Sequence, residues 1–187
     1  MTRRARVVIA GAFALGLAAT TVTAGQPRDL PPVVRGVRVA DPVCPPGFSR
    51  DQFGAGVTPQ VRAYVLRFNP SPAPTGQVWD GYTDRWISTG DADIDHVRSL
   101  HSMWCAGAAA LSPDAREVLG RDTGNMLPTA ASINRSKGDR DPDRWTPPAR
   151  SAACGYGWKW LTTTRTWGLT ATRAQLLAVA RLIDSCP

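Results

Sequence analysis

Asp93-Ile-Asp-His-Val97, followed by Asn125-Met-Leu and then by Asn134-Arg-Ser-Lys-Gly138, is the part of the chain on which its fold turns. In an extended strand neighbouring side chains face opposite ways, so Asp95 and His96 point apart and can serve different tasks. A carboxylate offers a hard oxygen ligand to a divalent cation, and neutral His offers a base for water at pH 7. Asn134, opening a helix or turn over 134–138, adds a side-chain oxygen to such a metal site. Arg135 and Lys137 lie within one turn of it and are placed to meet phosphate. These parts suffice for phosphodiester hydrolysis with a single metal, which stabilises charge on the scissile phosphate and the leaving oxygen.

Extended through Asp139-Arg-Asp-Pro-Asp-Arg-Trp-Thr-Pro-Pro148, the pattern resembles the secreted HNH endonuclease family, related to the C-terminal nuclease domain of GmrSD-type restriction enzymes. The HNH domain of RNA-guided nucleases carries a similar order of Asp-x-Asp-His, Asn and Asn-Arg-Gly-Lys. The resemblance runs from Phe48 to Cys186 and is strongest from Asp93 to Pro148. It implies an α+β fold: a ββα-metal (HNH, or His-Me finger) core surrounded by helices and stabilised by disulfides. By the same resemblance His96 is the general base, and Asp95 and Asn134 are the ligands of Mg²⁺ or Mn²⁺. Asn125 is the residue that holds the catalytic loop, Lys137 matches a Lys that follows the last Asn, its substrate contact and that of Arg135 being inferred from their place beside Asn134, and Cys154 and Cys186 match the family's C-terminal pair. The chain departs from the family where Asp-His-Val-Val-Pro-Leu becomes His96-Val-Arg-Ser-Leu100. Gly120-Arg121-Asp122 stands for the usual Ala-Asn-Asp, and of an upstream Cys-Asp-Thr-Arg element only Arg62 has a counterpart.

Outward from this centre, Val57–Phe68 reads as a short helix with Thr58 as N-cap and Pro59 at its first position. Asn69–Gly76 is a loop, and Val78–Ser88 a weak hairpin around Asp80-Gly81. Arg98–Ala110 reads as one helix, and Ser112-Pro113 opens another. Asn125–Ala130 is strand-like. The spacing gives one helix over Pro148–Trp167, ended by Gly168, and another over Ala171–Cys186.

Residues 1–24 form a basic start, an apolar stretch from Val7 to Ala19 and Val22-Thr23-Ala24, the pattern of a secretory signal peptide cut after Ala24. Residues 25–47 are Pro-rich and read as a linker, leaving 48–187 as the nuclease domain. The net charge of +7 permits an anionic partner, and a hydrophobic fraction of 43% excludes wholesale disorder. Four cysteines downstream of the leader fit an oxidising compartment. Cys154 and Cys186 flank the last third and pair with each other, which leaves Cys44 with Cys105. A zinc site is the alternative, without a Cys-x-x-Cys to support it.

The expected function is a secreted, extracellular, divalent-metal-dependent endonuclease that hydrolyses DNA, and RNA as a further substrate, with low sequence specificity. It acts as a monomer with nucleic acid as its partner and no stable membrane association after leader cleavage. The alternative is a catalytically weakened nucleic-acid-binding or cell-envelope interaction module on the same fold, motivated by Arg98-Ser99 and the missing upstream motif. His101 reads as a surface residue or one beside the site, and Asp93 as orienting or solvated. Asp139, Asp141 and Asp143 brace the loop before Trp145, and Trp145, Trp158, Trp160 and Trp167 belong to the core.

Overall fold

Thr58 accepts a hydrogen bond from the Val61 amide at 3.2 Å, and Pro59 occupies the first turn of helix α1 (Pro59–Arg67). A short hairpin follows, β1 (Gln77–Asp80) against β2 (Arg85–Ser88), antiparallel with Trp79 opposite Trp86. The computed structural model describes residues 29–54, 56–67 and 74–187, so the leader over 1–24 and most of the Asn69–Gly76 loop lie outside the described residues.

The decisive stretch is strand β3 (Ala92–His96). Its partner comes only after two helices, α2 (Leu100–Cys105) and α3 (Pro113–Gly120). It is β4 (Met126–Ala130), antiparallel, with Asp95 opposite Leu127 and His96 opposite Met126. Helix α4 (Ala131–Lys137) leaves β4 directly and lies against β3 and β4. Asp80 joins the two hairpins. Its carboxylate accepts from the Tyr82 and Thr83 amides of its own turn and from Thr129 Oγ1 and the Ala130 amide of β4.

Helices α5 (Ala153–Thr166) and α6 (Arg173–Ile183) pack together and carry much of the main core, with Tyr156, Trp160, Leu161, Leu176 and Val179 buried. A capping box starts α6: Thr172 Oγ1 accepts from the Gln175 amide and Gln175 Oε1 from the Thr172 amide. A second cluster gathers Phe53, Met103, Trp104 and Leu119, and a third sets Val65 of α1 against Ile94 and Met126. Among the described residues the result is an α+β protein of six α-helices and two small two-stranded sheets. The disulfides are Cys44–Cys105 and Cys154–Cys186. No described helix is long and apolar enough to cross a membrane.

Several expectations are corrected. The stretch read as a linker instead belongs to the fold from Leu30 onward. Leu30, Val34 and Val37 are buried in the main core and Val39 bridges to Ala171, because burying these apolar side chains outweighs the extended preference of the prolines around them. The single helix over Arg98–Ala110 is broken. Ser99 caps α2 by accepting from the Ser102 amide, and Gly107, at φ +117°, ends it. The helix expected from Pro148 begins at Ala153 after a 3₁₀ turn, since prolines 147 and 148 withhold amide donors. Trp158 is exposed rather than core.

Candidate active site

Asp93 and Asp95, two residues apart, share one side of β3. Helix α4 presents Asn134 and Lys137, three residues apart on one face, to that side. Asn134 Nδ2 donates to Asp93 Oδ2 at 3.1 Å, and Lys137 Nζ meets Asp95 Oδ2 at 2.9 Å. Lys137 also donates to the His96 carbonyl at 2.9 Å, and the Tyr82 hydroxyl donates to Asp95 Oδ2 at 2.6 Å. Burial first, and Asp95 beside it, raise the Tyr82 hydroxyl well above the ordinary tyrosine range, so it stays a donor. Asn134 therefore sits within α4 rather than at its start. Lys137 is fully buried, which corrects its reading as a substrate contact: its ammonium compensates the Asp95 charge beneath the site.

His96, alternating with Asp95, faces the other way. Its Nε2 lies 2.9 Å from the Gly120 carbonyl at the end of α3. A carbonyl oxygen only accepts, so the proton resides on Nε2 and the basic lone pair on Nδ1. Burial lowers the His96 pKa, and the positive charges of Lys137 and Arg50 lower it further. The Gly120 carbonyl and Asp95 act in the opposite sense without reversing the shift.

Gly120 holds this position because a side chain has no room there: a Cβ would stand 2.5 Å from the Phe53 carbonyl oxygen. Phe53 ends a 3₁₀ turn over Arg50–Phe53 in the strap that Cys44–Cys105 ties down, and Phe48 and Phe53 of the strap meet Trp104 of α2 edge to face. Gly120→Ala is expected to destabilise the protein by about 1–3 kcal/mol through overpacking. It should also slow any His96-dependent reaction by moving the carbonyl that orients the ring. Urea denaturation together with a rate measurement checks this, and a variant as stable as the parent would show that the strap yields.

Asn125 is fully buried and brackets the turn after His96. Its Oδ1 accepts from the Arg98 amide at 2.8 Å, its Nδ2 donates to the Arg98 carbonyl at 2.9 Å, and its own carbonyl accepts from the Val97 amide. It holds the Val97–Arg98 backbone and does not line the cleft. Arg98 itself turns inward. It donates to Thr164 Oγ1 and the Thr170 carbonyl and stacks over Trp160 at 4.3 Å, and burial lowers its pKa to about 10. Asp141 braces the same region by accepting from Ser102 Oγ, Trp160 Nε1 and Gln175 Nε2.

Asp95, His96, Asn134 and Arg135 open onto one cleft of about 650 Å³, which Phe48, Arg50, His101 and Asp139 complete. On this side of the strand Asn134 bonds Asp93 through its amide nitrogen, and both oxygens of Asp95 are engaged by Lys137 and Tyr82. Arg50, Gly120 and Tyr82 were invisible to sequence reasoning as site residues. A glycine closing α3 signals no more than a helix end, and nothing local links Arg50 to His96.

The chain is 31% identical over 157 residues to an uncharacterized secreted protein of Arthroderma benhamiae, an alignment that covers 75% of this chain and 76% of that protein. No family model matches the chain, and no solved structure matches it.

Proposed function

The chain belongs to the family of that secreted Arthroderma protein and is itself extracellular and disulfide-bonded, and from this premise we propose that it is a divalent-metal-dependent HNH endonuclease. The observation that carries the reading is the pairing of β3, β4 and α4. It brings Asp95, Asn134 and an imidazole held by a backbone carbonyl to the lining of a single cleft, with Asp93 bonded to Asn134. This strand–strand–helix unit is the ββα-metal core of the proposal.

In this reading Asp95 and Asn134 hold Mg²⁺ or Mn²⁺, with Asp93 orienting the Asn134 amide. The ion supplies charge stabilisation on the phosphate. His96 takes a proton from water on Nδ1, while Gly120 keeps Nε2 protonated and the ring in place. Arg50 and Arg135 line the cleft as phosphate contacts for DNA, and for RNA, with little base discrimination. Arg98, the departure from the family pattern, is occupied inside the core, so it is no reason to expect lost turnover.

The test is a plasmid-nicking assay on the oxidised protein with Mg²⁺, with Mn²⁺ and with chelator. Metal-dependent loss of supercoiled DNA is expected; saturable binding without product under every condition would point to the binding module on the same fold. Because burial holds His96 below its ordinary value, its neutral form persists into mildly acidic solution. The acid limb of kcat/KM is therefore expected below about pH 6.5, rising with pH as the imidazole loses its proton. An acid limb well above that value would rule out His96 as the base.

A further inference from the structure

We propose that Cys44, Cys105 and His101 form a second metal site, for a soft divalent cation such as Zn²⁺, which the Cys44–Cys105 disulfide masks. The inference goes beyond the nuclease reading and does not rest on it, because its readout is metal occupancy.

Three donors of the right kind converge. The two sulfurs and one imidazole nitrogen all lie within 4.8 Å of one another. His101 Nε2 stands 3.7 Å from Cys105 Sγ. Tetrahedral zinc, with bonds of about 2.3 Å to sulfur and about 2.0–2.1 Å to nitrogen, sets those two ligand atoms about 3.6 Å apart. The nitrogen is thus already at coordination distance from the sulfur it would share a metal with.

The other side of the ring supplies an independent observation. His101 Nδ1 lies 2.9 Å from Asp139 Oδ2, and the Ser99 hydroxyl donates to the Asp139 backbone carbonyl. A carboxylate on the far nitrogen is the arrangement that fixes a metal-binding imidazole, since it holds the proton on Nδ1 and leaves the Nε2 lone pair toward the ion. Phe48 packs edge-on against the same ring at 4.9 Å and limits its rotation. His101 and Cys105 sit four residues apart, His101 in the first turn of α2 and Cys105 at its end, so one rigid helical segment presents both donors. Cys44 comes from the strap across the gap.

The chemistry has two steps. A dithiol reductant gives two electrons and two protons to the Cys44–Cys105 bond, leaving as its own disulfide and producing two thiols. Zn²⁺ then displaces both thiol protons and binds two thiolates and neutral His101, with water in the fourth position. The oxidised protein holds no such site because both sulfurs are spent on each other. The reduced state is that of the newly made chain before an oxidising compartment closes the bond.

The experiment reduces the full-length protein with a water-soluble phosphine, removes the excess, and titrates it with Co²⁺ and then Zn²⁺. One equivalent of Co²⁺ is expected to produce thiolate-to-metal absorption in the reduced protein and none in the oxidised protein, with Zn²⁺ displacing it. His101→Ala and Asp139→Asn should each weaken binding about 10-fold or more. In a Cys44→Ser/Cys105→Ser variant, where only Cys154 and Cys186 remain, the absorption should vanish. A reduced protein that binds no metal overturns the proposal. So does binding that survives in the serine variant, or that is as tight in His101→Ala. Circular dichroism is followed in parallel: a reduced chain that loses its structure and does not recover it with Zn²⁺ also overturns it.

Discussion

Replacing His96 with alanine is expected to reduce metal-dependent DNA cleavage by about 10²–10⁴-fold, the contribution of a positioned general base. The fold and metal binding should stay largely intact. Among the described residues the His96 ring makes one hydrogen bond, to the Gly120 carbonyl, and the residue is half-buried at the cleft. The proposed metal ligands, Asp95 and Asn134, are other side chains, so metal affinity should change little. Nicking rates at saturating Mg²⁺, together with thermal melting, make the comparison. A variant that cuts as fast as the parent would remove His96 from the mechanism. A variant that fails to fold would show that the Gly120 contact is structural before it is catalytic.

The largest effect on stability should come from Lys137. Its ammonium is fully buried against Asp95, itself buried, and among the described residues it also donates to the carbonyls of His96 and Gly138. Lys137→Met removes the cation and leaves the Asp95 carboxylate with the Tyr82 hydroxyl alone. Breaking a buried pair from one side costs about 3–5 kcal/mol, a large share of the roughly 5–15 kcal/mol that holds a domain folded. Combining it with Asp95→Asn removes the stranded charge and should restore much of that loss. Chemical denaturation of the two single variants and the double variant gives the coupling. Purely additive effects would mean that the pair is not the unit that matters.

The two predictions mark where sequence and structure part. Alternation along Asp93–His96 was enough to place Asp95 and His96 on opposite sides of one strand, because a strand has a period of two whatever it packs against. Thr58-Pro59 and Ser112-Pro113 were legible as helix starts, because a cap is satisfied by atoms two or three residues away. The strand and the helix starts are local, and neighbouring residues decide them. Four cysteines allow three pairings, and the expected one, with Cys154–Cys186 also implied by the family resemblance, is the one the structure has.

Lys137 was misread for the opposite reason. A lysine one turn beyond a metal-site asparagine reads as a surface cation, and its burial depends on how α4 lies across β3. Arg98, a departure from the family pattern in the sequence, is enclosed by Trp160, Thr164 and Thr170, all from the C-terminal third. The stretch from Leu30 to Val39 reads as linker because it lies in a Pro-rich segment with little periodicity, and only packing against α6 and the bridge to Ala171 give its apolar residues somewhere to go. The sequence by itself determined the strand that carries Asp95 and His96 and the helix starts, since strand alternation and short-range hydrogen bonding suffice for them. Only the tertiary structure decided which charges are buried, which carbonyl holds His96 and which histidine faces the Cys44–Cys105 sulfurs, because each depends on long-range packing that no local pattern encodes.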